Sequence, residues 1–140
     1  MNDSKHSVFL DTSFFKALLD AKDGFHRQAD KIWLLLQEKN IVLTTTNYII
    51  DETLTLVRIR CGLPVAVQLR NLLHDYSEYL EVIRVTIDDD ASAWEWFEKD
   101  WSNLSFTDCV SFSVMKRLGL TNVASFDQHF SRAGFTLLSA

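Results

Sequence analysis

The sequence is poor in chain breakers and in thiols, with one proline, four glycines and two cysteines in 140 residues. So few turn formers argue against a many-turned all-β fold and for long regular elements, chiefly helices. Cys61 and Cys109 lie far apart on different predicted helices, so two reduced thiols acting as small apolar residues are expected rather than a disulfide. No apolar run approaches the roughly 20 residues that cross a bilayer. The polar opening from Met1 to Ser7 also lacks the apolar core of a secretory leader. A soluble, cytoplasmic protein with no membrane attachment is expected. An excess of positive charge is missing too, since 14 Lys and Arg face 19 Asp and Glu for a net charge of −5. That balance counts against nucleic acid, unless cations are gathered locally or a bound metal offsets the deficit. Arg58, Arg60, Arg70, Arg84, Lys116 and Arg117 are candidates for such a positive rim. With 47% hydrophobic residues and neither repeats nor low-complexity segments, the chain reads as one domain over 1–140 with a core of its own.

What is present is an alternation of short apolar segments and longer helical patterns. Strands are expected at His6 to Leu10, Asn40 to Leu43, Leu80 to Val85, Asn122 to Ser125 and Phe135 to Leu138. Helices are expected at Thr12 to Leu19, Asp23 to Glu38, Thr46 to Cys61, Pro64 to about Tyr79, Asp88 to Trp101, Ser105 to Leu118 and a short turn at Gln128 to Arg132. Gly62 and Pro64 punctuate a helical hairpin, and Gly119 ends the helix after Ser105. Trp94, Phe97 and Trp101, at i, i+3 and i+7, are expected to face the core. Strands alternating with helices imply a parallel sheet covered on both faces.

Four acids stand out in that frame. Asp11 follows an apolar segment, Asp108 opens a helix and Asp127 follows another apolar segment. These are positions that a parallel sheet gathers outside the carboxyl ends of its strands. A carboxylate cluster there suits a hard divalent cation. Each of the three also has a plain explanation as a helix cap, and Ser105-x-x-Asp108 fits a capping box. Glu52 lies inside a helix, where no cap is needed, and shares a helical face with Tyr48, Ile49, Leu56 and Ile59. It is therefore expected to point inward and Asp51 toward water, although a salt bridge from elsewhere in the chain would also account for Glu52. The run Asp88 to Asp90 reads as capping and helix-dipole compensation. No histidine pair has a metal-binding spacing, and His129 reads as a surface residue near the acids.

Leu10-Asp11-Thr12-Ser13, Asp51-Glu52-Thr53, Phe106-Thr107-Asp108-Cys109 and Ser125-Phe126-Asp127-Gln128-His129-Phe130 together resemble, in order and over nearly the whole chain, the acidic quartet of the PIN domain. Within that superfamily the size and the helices after the second strand look most like VapC-type toxins. The resemblance implies a three-layer α/β/α fold with a central, mostly parallel sheet of four to five strands. It implies an endoribonuclease using Mg²⁺, or Mn²⁺, at a metal site of Asp11, Asp108, Asp127 and Glu52, with Asp11 and Asp108 as direct ligands, Asp127 as a direct or water-mediated ligand and Glu52 placing the metal-bound water. Thr12, Ser13, Thr107 and Ser125 could support the carboxylates or a metal-bound water by hydrogen bonds, with Thr12 and Ser125 favoured. It further implies RNA as substrate, a cognate antitoxin as partner, and a homodimer. A PIN-type nuclease with a housekeeping or repair role and a non-catalytic module of the same fold remain as alternatives. A receiver-type phosphate acceptor would need a paired acid before the first helix and a lysine after the last strand, and neither is in place. A haloacid-dehalogenase-type phosphatase would need an acid where Ser13 stands.

Overall fold

A computed structural model of the chain describes residues 7–139. The elements are β1 (Ser7–Leu10), α1 (Thr12–Leu19), α2 (His26–Glu38), β2 (Val42–Thr46), α3 (Asn47–Cys61), α4 (Leu63–Asp75), β3 (Leu80–Ile83), α5 (Ile87–Phe97), α6 (Phe106–Leu118), β4 (Asn122–Ala124), α7 (His129–Arg132) and β5 (Thr136–Leu137). The five strands form one sheet in the order β3-β2-β1-β4-β5, and every pairing is parallel. Helices α1–α4 pack with one another, as do α5–α7, which suits a parallel sheet buried on both faces. No described helix is long and apolar enough to cross a membrane.

The strand order decides where chemistry can sit. From β1 the chain winds outward through β2 to β3, then returns to place β4 on the other side of β1. Loops leaving β1 and β4 therefore diverge, and the crevice between them is the switch point where parallel sheets hold their ligands. The core beneath is dense with aromatics, since Phe9, Phe14, Phe15, Phe112 and Phe130 are fully buried. Phe112 meets Phe130 edge to face with centroids 5.0 Å apart. Cys61 and Cys109 are both free thiols. The Cys109 thiol is pushed up to about 11 by burial and by neighbouring Asp108, so it packs as an inert apolar group.

Several expected boundaries shift. The start of the first strand at His6 lies outside the described residues. The second strand lies at Val42–Thr46, with Asn40 at φ +51° in the preceding turn and Thr44, Thr45 and Thr46 buried. Residues 23–25 form a turn, because the Asp23 carboxylate accepts from the Phe25 amide at 2.8 Å and from Lys16 Nζ at 3.0 Å. Helix α4 stops at Asp75 and β3 at Ile83. Trp94, Phe97 and Trp101 do not form a core stripe. Trp94 and Phe97 are 53% and 41% exposed and cluster with Phe106, while Trp101 lies beyond the helix end. The cations foreseen as one rim are dispersed. Arg58 and Arg70 line a groove on α3 and α4, Arg60 lines another, and Lys116 and Arg117 a third.

Candidate metal centre

Asp11 is the first residue after β1, and its backbone still belongs to the sheet, with its amide donating to the Ala124 carbonyl at 3.2 Å. Its side chain caps α1 weakly, accepting from the Ser13 amide at 3.4 Å. Two hydroxyls hold the same carboxylate oxygen more firmly. Ser125 Oγ donates at 2.8 Å from the end of β4, and Ser13 Oγ donates at 2.9 Å. The Ser125 hydroxyl also accepts from the Asp127 amide at 3.0 Å, so one side chain ties the two loops of the switch point together. Thr12, expected to support Asp11 by its hydroxyl, does so through its backbone. Its Oγ1 is buried without a partner, and Ser13, the less favoured candidate, gives the hydroxyl contact together with Ser125.

Asp108 arrives from α6. Ser105 and Asp108 form a complete capping box, with Asp108 N donating to Ser105 Oγ at 3.0 Å and Ser105 N to Asp108 Oδ2 at 3.3 Å. Asp127 likewise accepts from the His129 amide at 2.9 Å. All three acids are thus caps or turn formers. Capping does not explain their electrostatics. Asp108 is pushed up to about 7, first by burial and then by the charges of Asp11 and Asp127, against the hydrogen bonds of Ser105. Asp11 is raised to about 6 by burial, with Asp127 adding to the rise, against the hydrogen bonds of Ser125, Ser13 and the Thr12 backbone. No Lys or Arg among the described residues pairs with Asp11, Asp108 or Asp127. Two buried carboxyls held up in this way, with the Asp127 charge beside them, form a cluster that could hold a cation.

The donor set fits a divalent ion. Asp108, Asp127 and His129 each offer a ligand atom, all within 4.8 Å of one another, and Asp11 is close enough for its charge to act on Asp108. His129 was expected at the surface near the acids. Its side chain is instead 18% exposed, with Nδ1 at 2.9 Å from Asp127 Oδ1 and 3.9 Å from Asp108 Oδ2. The clue in the sequence was the two-residue step from Asp127 to His129, which a tight turn folds onto one spot.

Glu52 behaves differently from expectation. The buried face of α3 is Ile49, Thr53 and Val57, while Ile59, taken as part of the core stripe, is 76% exposed. Glu52 is half-buried and lines, together with Asp51, an open groove of about 670 Å³ with Tyr48, Arg60 and Thr107. Thr107 precedes Asp108, so the groove runs up to the acid cluster without Glu52 joining the group within ligand distance.

Residues 8–136 match the family model for the PIN domain. The chain is 40% identical over 129 residues to the 23S rRNA-specific endonuclease VapC20 of Mycobacterium tuberculosis, in strains CDC 1551 / Oshkosh and ATCC 25618 / H37Rv. That match covers 91% of this chain and 95% of the relative. The crystal structure of Mycobacterium tuberculosis VapC20, described as a sarcin-ricin loop cleaving toxin, superposes with a TM-score of 0.84 at 37% identity, over 95% of this chain and 99% of that one. PIN nucleases are metal-dependent, and the acid cluster here has the donors such an ion requires. With acids gathered at the switch point of a five-stranded parallel sheet and this likeness along its length, the chain belongs to the PIN-domain family, as an endoribonuclease of the VapC toxin type.

Proposed function

We propose that this chain hydrolyses RNA with Mg²⁺, or Mn²⁺, held by Asp11, Asp108 and Asp127, with Glu52 orienting the attacking water from the adjoining groove. The observation that carries this reading is the pair of buried carboxyls, Asp11 and Asp108, raised to about 6 and about 7 with no Lys or Arg among the described residues to neutralise them. When bound, the ion supplies the charge that activates water and stabilises the scissile phosphate. The chain's own residues do the positioning. Ser13 and Ser125 fix the Asp11 carboxylate, Ser105 fixes that of Asp108, and the groove beside Glu52 offers Arg60 to a phosphate. The products would carry 5′-phosphate and 3′-hydroxyl ends.

The likeness to VapC20 supports the sarcin-ricin loop of 23S rRNA as the substrate here as well. We further propose a single cytoplasmic domain that forms a homodimer and is silenced by a VapB-type antitoxin contacting the α3–α4 hairpin. Incubation of the purified chain with an oligonucleotide of that loop tests the reading. Cleavage at one bond with Mg²⁺ or Mn²⁺ and none with EDTA is expected, and an intact loop with either ion would sink it. Expression without the antitoxin should arrest growth; normal growth at confirmed expression would point to a housekeeping nuclease. Light scattering at micromolar concentration should give twice the 16.2 kDa chain mass.

A further inference from the structure

We propose that His129 is a nitrogen ligand of the divalent ion, binding through Nδ1 beside Asp108 and Asp127, and that this nitrogen tilts the site toward Mn²⁺ over Mg²⁺. The proposal rests on the metal-dependent reading above and adds a donor that the acidic quartet does not contain. It starts from the other end of the ring. His129 Nε2 lies 2.8 Å from the Ser102 carbonyl oxygen. A carbonyl can only accept, so Nε2 carries the ring proton, and in the neutral imidazole Nδ1 is left with a lone pair. That lone pair faces carboxylate oxygens. Nδ1 is buried with no hydrogen-bond partner, although Asp127 Oδ1 lies 2.9 Å away. Lone pairs opposed at this distance repel unless a proton on Nδ1 or a cation bound by both atoms relieves them.

The geometry meets what a metal-binding histidine needs. Neighbouring ligands on an octahedral ion at about 2.1 Å lie about 3 Å apart, which matches the 2.9 Å between Nδ1 and Asp127 Oδ1. A ligating imidazole ordinarily donates its other N–H to a carboxylate or backbone carbonyl, which fixes the tautomer, and the Ser102 carbonyl does this here. The ring is also held against rotation. It stacks on Trp101 at 6.3 Å and 8°, and the Arg132 guanidinium lies 4.4 Å from the same indole. A set of oxygens alone suits Mg²⁺, whereas an imidazole nitrogen favours ions of the transition series.

Mn²⁺ and Mg²⁺ titrations of the full chain, with pulsed electron paramagnetic resonance of the Mn²⁺ form, test this without recourse to activity. The variant is His129→Phe, which keeps a ring on Trp101 and removes the nitrogens. Wild type should show coupling of Mn²⁺ to a directly bound nitrogen, and His129→Phe should lose it. Mn²⁺ affinity should fall by about tenfold or more in the variant, and Mg²⁺ affinity by less. Mn²⁺ bound in an Asp108-dependent way with no nitrogen coupling in wild type would overturn the role of His129 and leave the carboxylate site standing. Binding that Asp108→Asn does not weaken would overturn both.

Discussion

Two complete capping boxes among the described residues are built alike, Thr86–Asp89 at the start of α5 and Ser105–Asp108 at the start of α6, and they end in opposite electrostatic states. Both carboxylates are buried, at 3% and 7% exposure, and both accept the amide of their cap residue. Burial raises each. At Asp89 the guanidinium of Arg117 answers it with two bonds of 2.8 and 2.9 Å, and together with Thr86 leaves the carboxyl below its usual range. At Asp108 the neighbours are Asp11 and Asp127, and the carboxyl climbs to about 7. Identical local chemistry thus serves as a clasp in one place and as a site in the other. The partner across space makes the difference, since a paired buried charge is structural and an unpaired cluster of one sign is a demand for a cation.

Each acid can be neutralised while its cap is kept, because Asn caps about as well as Asp. Asp108→Asn should abolish metal-dependent RNA cleavage with an unchanged circular dichroism spectrum. It should also raise the melting temperature of the metal-free protein and shrink the stabilisation that Mg²⁺ gives by binding the folded state. Equal stabilisation of both proteins by Mg²⁺ would mean the cluster is no metal site. Ser125→Ala removes the hydroxyl shared by Asp11 and the Asp127 amide, and a loss of about 10- to 100-fold in metal affinity is expected from such support residues; calorimetry reads it. Asp89→Asn should instead cost about 2 kcal/mol in denaturant unfolding. That is less than for a fully buried pair, because Arg117 is partly in water, and cleavage per folded molecule should survive. A large loss of activity in folded Asp89→Asn would erase the distinction between clasp and site.

The smallest effect is in the pH dependence. A carboxyl raised on folding keeps protons that the unfolded chain has shed, so its penalty grows as pH rises from the free value of 3.8 to about 7. Metal-free wild type should therefore gain stability as pH falls from 7 toward 4, and Asp11, raised to about 6, adds to the same trend. Asp89, lowered, contributes in the opposite sense, and its stabilisation is lost only at still lower pH. The difference between wild type and Asp108→Asn in melts from pH 7 to 4 isolates the carboxyl from the histidines. Curves that run parallel would remove the electrostatic case for the cluster.

The fold was largely legible because it is written in local patterns. Apolar segments alternating with helical periods imply a parallel sheet, and Gly62, Pro64 and Gly119 mark helix ends where they were expected. Errors came where one pattern fits two arrangements. The Tyr48, Leu56 and Ile59 face of α3 is as apolar in sequence as the Ile49, Thr53 and Val57 face, yet the second is the buried one and the first reaches the core only at Tyr48. Trp94 and Phe97 have helical spacing whether they pack inward or, as here, against Phe106 at the surface.

By itself, then, the sequence determined which residues could become caps, strands and carboxylates at strand ends, since those follow from torsional preference and from hydrophobic period. It could not rank Asp108 above Asp89, or see His129 beneath Trp101, or move Glu52 from the core to a groove. Those outcomes depend on charge and burial contributed by residues distant along the chain, such as Arg117 for Asp89 and Asp11 for Asp108. Only the closing of the sheet with β4 beside β1 brought Asp11, Ser125 and Asp127 together. Electrostatic energy falls with distance in space and is indifferent to distance in sequence, so the tertiary structure alone decided which acids gathered into a cluster of one sign.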